Sequence, residues 1–281
     1  MSVKVNAYAK INWFLDIRGV LENGYHEMDM LMQQISLADE LSFSPASDIT
    51  LTVDGVPAAD NLVLKAAFAL KDYAVQNGHA GDFGVRMNLH KRIPSRAGLG
   101  GGSADCAQTL NTLNQLWNLN YPQPVILSLA EKLGADVPFC VVGGLARVSG
   151  FGEKVAPIAS AQRYALALVT PGGGLSTPEV FHEWDRMPSS GDSASLDVFA
   201  KALTNGDLSS AQAYAFNALQ APAIRLMPEI GLWMERFRDA GAQFIAMSGS
   251  GSTVFGVFDS LVSAQSVSEQ FSDVFVAETL I

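Results

Sequence analysis

The stretch that decides the fold is Pro94-Ser95-Arg96-Ala97-Gly98-Leu99-Gly100-Gly101-Gly102-Ser103. Before it, Phe83, Val85, Met87 and Leu89 alternate with Gly84, Arg86, Asn88 and His90, the period-two pattern of a half-buried strand. After it, Cys106, Leu110, Leu113 and Trp117 share one helical face, with Ser103 or Asp105 near the helix start. Strand, glycine loop and helix in that order form an anion-binding arrangement. Glycines at 98, 100, 101 and 102 let backbone N–H groups turn toward one centre, and the helix adds unpaired N–H groups and about half a positive charge. A glycine-rich surface turn is the plain alternative. No acidic residue falls between Asp82 and Asp105, however, while Arg86, Lys91, Arg92 and Arg96 all do, which favours a polyphosphate. The chain has no Gly-Lys dipeptide, so the loop is not a Walker A loop, and GLGGGS is not GxGxxG.

Upstream, Val3, Val5 and Ala7 alternate with Lys4, Asn6 and Tyr8 into Ile11-Asn12-Trp13, predicting a strand that puts Lys10 and Asn12 on one face. Taken alone, that face reads equally as a solvated one. A turn is expected at Glu22-Asn23-Gly24, strands over 39–44 and 49–53, and a helix from Leu62 to Tyr73 capped by Asp60-Asn61. Among four histidines, none at metal-ligand spacing, His26 follows Tyr25 and brings a polar ring beside an aromatic plane, as a nucleobase site needs.

Downstream, a helix is expected over 125–133, ending at Gly134, with Asp136 just beyond it in Gly134-Ala135-Asp136-Val137-Pro138-Phe139. A carboxylate at a helix C-terminus in apolar surroundings needs a partner, and Lys10 would serve; a capped turn aspartate is the other reading. A hairpin over 146–158 and a seam at Ser160-Ala161-Gln162 close a first domain, 1–160, ahead of a second, 161–281. The second holds a strand over 164–170, a helix opened by Thr177 as N-cap with Pro178, helices near 195–219, 228–240 and 261–271, and strands on both sides of Ser248-Gly249-Ser250-Gly251-Ser252. That serine-glycine run lacks the nucleophile-elbow spacing and reads as a second backbone cradle. The whole is an α+β pattern.

The 281 residues include 18 basic and 28 acidic side chains, a net charge of −10, which argues against a nucleic-acid or anionic-membrane surface. Cys106 and Cys140 have no metal-ligand spacing and read as buried thiols of a reducing compartment. The first ten residues hold no apolar signal core, and the longest apolar stretch, 137–146, is about half a membrane span. A cytoplasmic protein is expected, monomer or homodimer.

Ala9–Leu15 with Gly24–His26, Gly98–Ser103, Gly134–Phe139 and Met247–Ser252 together resemble the GHMP kinases, over nearly the whole chain. Within that family the likeness is to the branch that phosphorylates a cytidine-diphosphate-linked methylerythritol. Tyr8, Trp13, Ala104 and Cys106 depart from the usual pattern without removing a charged group. The resemblance implies a ribosomal-S5-like N-terminal domain, a ferredoxin-like C-terminal domain, ATP and Mg²⁺ as cofactors, and transfer of the γ-phosphoryl group to the 2-hydroxyl of the acceptor in the non-mevalonate isoprenoid route. It implies Asp136 as the base and Lys10 as the lysine beside it. Asn12, Tyr25, His26, Thr177 and Phe181 fall at acceptor-binding positions, Tyr25 and Phe181 stacking on the cytosine. Asn61, Leu62 and Lys91 fall around the adenosine, and Pro94, Gly98, Gly100, Gly101, Gly102, Ser103, Gly249 and Gly251 around the rest of the nucleotide, with no protein metal ligand implied. Another GHMP kinase, acting on homoserine or a mevalonate-type alcohol, and a silent nucleotide-binding sensor are the alternatives.

Overall fold

A computed structural model of the chain describes residues 2–22, 24–187 and 195–281; Asn23, the middle of the expected turn, lies outside the described residues, as does Met1. Two long strands open the chain, β1 (Val3–Val20) and β2 (His26–Pro45), and pair with each other. β1 outruns the predicted strand because its burial stops alternating: every residue from Ala9 to Asp16 is buried, so no two-residue beat marks that stretch. Two compact units alternate along the sequence. One gathers Met1–Ala9, Leu37–Ile93 and Gly100–Gly143, the other Lys10–Ser36, Pro94–Leu99 and Gly144–Ile281. The chain passes between them repeatedly, β1 and β2 each starting in one and finishing in the other.

The first unit contains β3 (Ile49–Val53), β4 (Val56–Pro57), α1 (Leu62–Gln76), β5 (Val85–His90), α2 (Gly101–Leu116), α3 (Gln123–Ala130) and α4 (Val137–Val142). β3 and β5 run parallel, Ile49 opposite Val85 through Val53 opposite Leu89, with α1 as the crossover. β5 then pairs antiparallel with Glu40–Pro45 of β2. Val85, Met87 and Leu89 are buried as the alternation predicts. Asn61 caps α1, its Oδ1 accepting the Val63 N–H at 2.9 Å. α3 stops at Ala130, short of the expected Leu133.

The second unit pairs Met28–Gln33 of β2 with β6 (Leu145–Gly150), which forms the predicted hairpin with β7 (Lys154–Pro157). There follow β8 (Ala165–Val169), α5 (Thr177–Asp185), α6 (Leu196–Thr204), α7 (Leu208–Ala213), α8 (Gln220–Leu226), α9 (Glu229–Asp239), β9 (Phe244–Met247), β10 (Val254–Phe258), α10 (Leu261–Gln270) and β11 (Val274–Glu278). The helical region expected at 195–219 is broken into α6 and α7 at Asn205-Gly206-Asp207, where Gly206 takes φ +77° and Asp207 caps α7; α8 carries no signal that the sequence reading caught. The antiparallel sheet β11-β8-β10-β9, with α9 and α10 packed on it, is a ferredoxin-like split βαβ arrangement. Trp13 is buried against it, its ring 5.2–5.4 Å from those of Tyr164, Phe244 and Phe255, and its indole N–H bonds Gln33 at 2.8 Å. Both cysteines are buried and outside any disulfide, and among the described residues no helix is long and apolar enough to cross a membrane.

Candidate active site

In the first unit the glycine loop feeds α2 earlier than expected. The helix begins at Gly101, with Gly100 as N-cap in the left-handed region at φ +67°, so neither Ser103 nor Asp105 caps it. A glycine cap brings no side-chain acceptor, and among the described residues the helix has no side-chain cap hydrogen bond. A Cβ at Gly101 would sit 3.0 Å from Ile93 Cγ2 and 3.4 Å from Lys91 Nζ, whereas one at Gly102 would meet only Leu62 Cδ1, at 3.6 Å. Leu62, Lys91, Gly101 and Gly102 are therefore brought together, with Asn61 adjoining as the α1 cap.

The Lys91 ammonium is not the bare cation that the acid-free window suggests. It bonds Asp105 Oδ2 at 2.8 Å and Asp39, 52 residues away in sequence. Asp39, fully buried, also accepts the N–H groups of Arg92 and Ile93 at 2.5 and 2.8 Å. Burial opposes charge on Lys91, but Asp105 and Asp39 outweigh it and hold the ammonium above its usual range. Burial, only partly offset by Lys91, pushes the Asp105 carboxyl up to about 7, and its Oδ1 has no hydrogen-bond partner among the described residues.

Asp136 lies at the opposite kind of helix end from the one expected. It is the N-cap residue of α4, which packs on α2, since α3 has already ended six residues earlier. A carboxylate is favoured there by the helix dipole instead of opposed by it.

In the second unit Lys10 and Asn12 are both buried, and Lys10 Nζ bonds Asn12 Oδ1 at 2.7 Å, as their shared strand face predicts. The first arm of the glycine loop is stitched to the same strand, the Lys10 N–H donating to the Leu99 carbonyl at 2.9 Å. Gly98, at φ +78°, has no space for a side chain: a Cβ would fall 2.1 Å from the Ser248 carbonyl oxygen. The serine-glycine run reads differently in three dimensions. The Ser248 and Ser252 hydroxyls turn inward onto the carbonyls of Gly98 and Pro171, and Asn217 spans the carbonyls of Met247 and Gly249 at 2.9 Å each. Gly249 packs against Gly98 and Asn12, and Gly251 against Met247 and Leu175, so these glycines serve close packing of the protein on itself. The N-cap of α5 is Ser176, not Thr177; Thr177 instead pairs with Ser250 through their hydroxyls at 2.8 Å. Pro94 heads the loop arm that belongs to this unit.

An aromatic cluster surrounds His26. Its ring lies 4.6 Å from that of Phe181 at 34°, Trp184 meets it edge-on at 5.3 Å, and Nε2 is 2.9 Å from Asp185 Oδ1. Tyr25, largely exposed, has its ring 5.7 Å from that of Phe151. The sequence reading missed Asp39, Asn217, Trp184 and Asp185. Asp39 had a signal, an acid in the inward register of Leu41 and Phe43; Trp184 and Asp185 follow Phe181 at helical spacings of three and four.

The sequence model described as GHMP kinases N terminal domain matches residues 61–144, and that described as GHMP kinases C terminal matches residues 199–277. The chain belongs to the GHMP kinases. A 4-diphosphocytidyl-2-C-methyl-D-erythritol kinase of Pelotomaculum thermopropionicum is 38% identical over 276 residues, 96% of this chain and 94% of that one. A protein of the same name from Deinococcus radiodurans is 39% identical over 263 residues, 92% and 85% of the two chains. A crystal structure of 4-(cytidine 5'-diphospho)-2C-methyl-D-erythritol kinase superposes with a TM-score of 0.83 at 34% identity, covering 99% of both. Homoserine kinase from Cytophaga hutchinsonii shares the fold at a TM-score of 0.74 and 20% identity, over 100% of this chain and 95% of that one.

Proposed function

We propose that this chain transfers the γ-phosphoryl group of ATP to the 2-hydroxyl of 4-diphosphocytidyl-2-C-methyl-D-erythritol, a step of the non-mevalonate route to isoprenoid precursors in the cytoplasm. The observation that carries it is near-full-length identity of 38% to a kinase named for that substrate. Asp136 takes the hydroxyl proton as the loose transition state forms, and Lys10, oriented by Asn12, offsets negative charge at the transferring group. The first turn of α2, with Gly100, Gly101, Gly102 and Ser103, receives the phosphates through backbone N–H groups. The absence, among the described residues, of a side-chain cap hydrogen bond on that turn supports the cradle. Asn61, Leu62 and Lys91 line the adenosine side, while Pro94, Gly98, Gly249 and Gly251 shape the entry arm of the loop. Tyr25, His26, Thr177 and Phe181 hold the cytidine end.

Magnesium would accompany the phosphates in this cradle, where the Ser103 hydroxyl could help to hold it, and would supply neutralisation of phosphate charge. A functional division near residue 160 accords with the reading, the nucleotide loop lying before it and the ferredoxin-like sheet after it. The test is ADP release, with and without the cytidine substrate, with homoserine and mevalonate as comparison acceptors. Turnover only with the cytidine substrate is expected. Turnover with another alcohol alone, or with none, overturns the assignment.

A further inference from the structure

The acceptor of the proposed reaction ends in a cytosine, whose exocyclic amino group donates hydrogen bonds; a uracil carbonyl in its place accepts them. A side chain that tells the two apart must present an acceptor and be unable to turn into a donor. His26 meets neither condition by itself, since a neutral imidazole carries its proton on either nitrogen.

Three residues on one face of α5 remove that freedom. Phe181 covers the His26 ring at 4.6 Å, Trp184 abuts it edge-on at 5.3 Å, and Asp185 Oδ1 lies 2.9 Å from Nε2. The spacing 181, 184, 185 is the i, i+3, i+4 pattern that gathers side chains on one helical surface. An ionised carboxylate only accepts, so Nε2 must carry the proton, and in the neutral imidazole Nδ1 is left with its lone pair. No described group engages Nδ1. The His26 side chain is 17% exposed against 46% for Asp185, so the imidazole is largely covered while the carboxylate that sets it stands at the surface.

We infer that Asp185 is a positioning residue for nucleobase choice: it holds the proton of His26 on Nε2, leaving Nδ1 as an acceptor that selects a base offering an amino group. The inference rests on reading His26 as facing the nucleobase of the acceptor. Metal-site histidines are set in the same way, the second nitrogen's partner deciding which face of the ring binds.

The test has a structural arm and a kinetic arm, both on the full chain. With ¹⁵N-histidine incorporated and His26 assigned by its loss in His26→Gln, long-range ¹H–¹⁵N spectra near pH 8.5 report which ring nitrogen is protonated. The wild type should show Nε2–H. In Asp185→Asn the carboxamide can donate, and the proton should move to Nδ1, as an Asp→Asn exchange produces the wrong tautomer in a Ser-His-Asp triad. In parallel, the ratio of kcat/KM for the cytidine substrate to that for its uridine counterpart should fall roughly 5- to 150-fold in Asp185→Asn, the penalty of an unmatched hydrogen-bonding group, with KM for ATP unchanged. Nδ1–H in the wild type, or equal losses on both substrates, overturns the inference. A wild type showing Nε2–H that does not turn over the cytidine substrate overturns the function proposed above and the selection role with it, while leaving the Asp185–His26 pairing intact.

Discussion

The Ser248 hydroxyl donates to the Gly98 carbonyl oxygen at 2.8 Å while accepting the backbone N–H of Asn12 at 3.1 Å. One side chain thus ties three sequence motifs to one another, across separations of 150 and 236 residues. The strand bearing Lys10, the entry arm of the glycine loop and the serine-glycine turn are set by a single oxygen, itself fully buried.

Ser248→Ala should therefore destabilise the protein by about 1–3 kcal/mol, because the Asn12 N–H and the Gly98 carbonyl lose a buried partner. Urea unfolding measures it. A variant as stable as its parent would mean that the two backbone groups find other partners.

Gly102→Ala separates stability from ligand binding. Its Cβ meets one methyl at ordinary contact distance, and alanine is favoured over glycine within a helix by about 1 kcal/mol, so the melting temperature should hold or rise. ATP affinity should nonetheless fall by about tenfold or more, roughly 1.4 kcal/mol, since phosphate must approach that backbone closely. Gly98→Ala, by contrast, should unfold the loop, its Cβ lying 2.1 Å from a carbonyl oxygen. Calorimetry of ATP binding beside thermal melts tests both; unchanged ATP affinity in Gly102→Ala would move the phosphates elsewhere.

Asp136→Asn should lower kcat by about 10²–10⁴-fold and leave ATP binding nearly unchanged, as expected for loss of a general base. Retention of more than about a tenth of the turnover in a folded variant would refute the role.

Asp105 sets a pH dependence of stability. Its folded-state value, raised by burial to about 7, exceeds the ordinary 3.8, so the folded protein holds this proton more tightly than the unfolded chain does. The stabilising contribution is complete below about pH 4 and is lost as pH climbs through about 7. Asp105→Asn, neutral throughout, should gain relative to wild type across that interval. Unfolding free energies from pH 5 to 8 that run parallel for the two proteins would count against it.

The sequence made the local chemistry legible where one element carries it. Lys10 and Asn12 sit two apart on a strand, Asn61 stands directly before the helix it caps, and the loop at 94–103 announces itself by its glycines. It concealed whatever depends on distant pairing. Asp39 and Lys91 are 52 residues apart, so a window free of acids looked electropositive although its lysine is held by two carboxylates. β1 beyond Trp13 was obscured by burial on both faces, and Asp136 was assigned to the wrong helix end because α3 stops early with no glycine to mark it.

The second unit joins residues 33–36 to residues 278–280, with a consequence for synthesis. Gln33 and Gln34 hold the carbonyl and N–H of Leu280 at 2.9 Å, Ser36 accepts the Glu278 N–H at 2.9 Å, and Ile35 bridges Thr279. A ribosome that has made residue 36 must add some 240 more before those partners exist, and the peptide exit tunnel delays them further. Residues 33–36 of the nascent β2 strand therefore wait with open hydrogen-bonding positions while those residues are added. Their exposure to chaperones, to proteases and to neighbouring nascent chains is governed by elongation rate, and removing only the last four residues would leave those positions open for good.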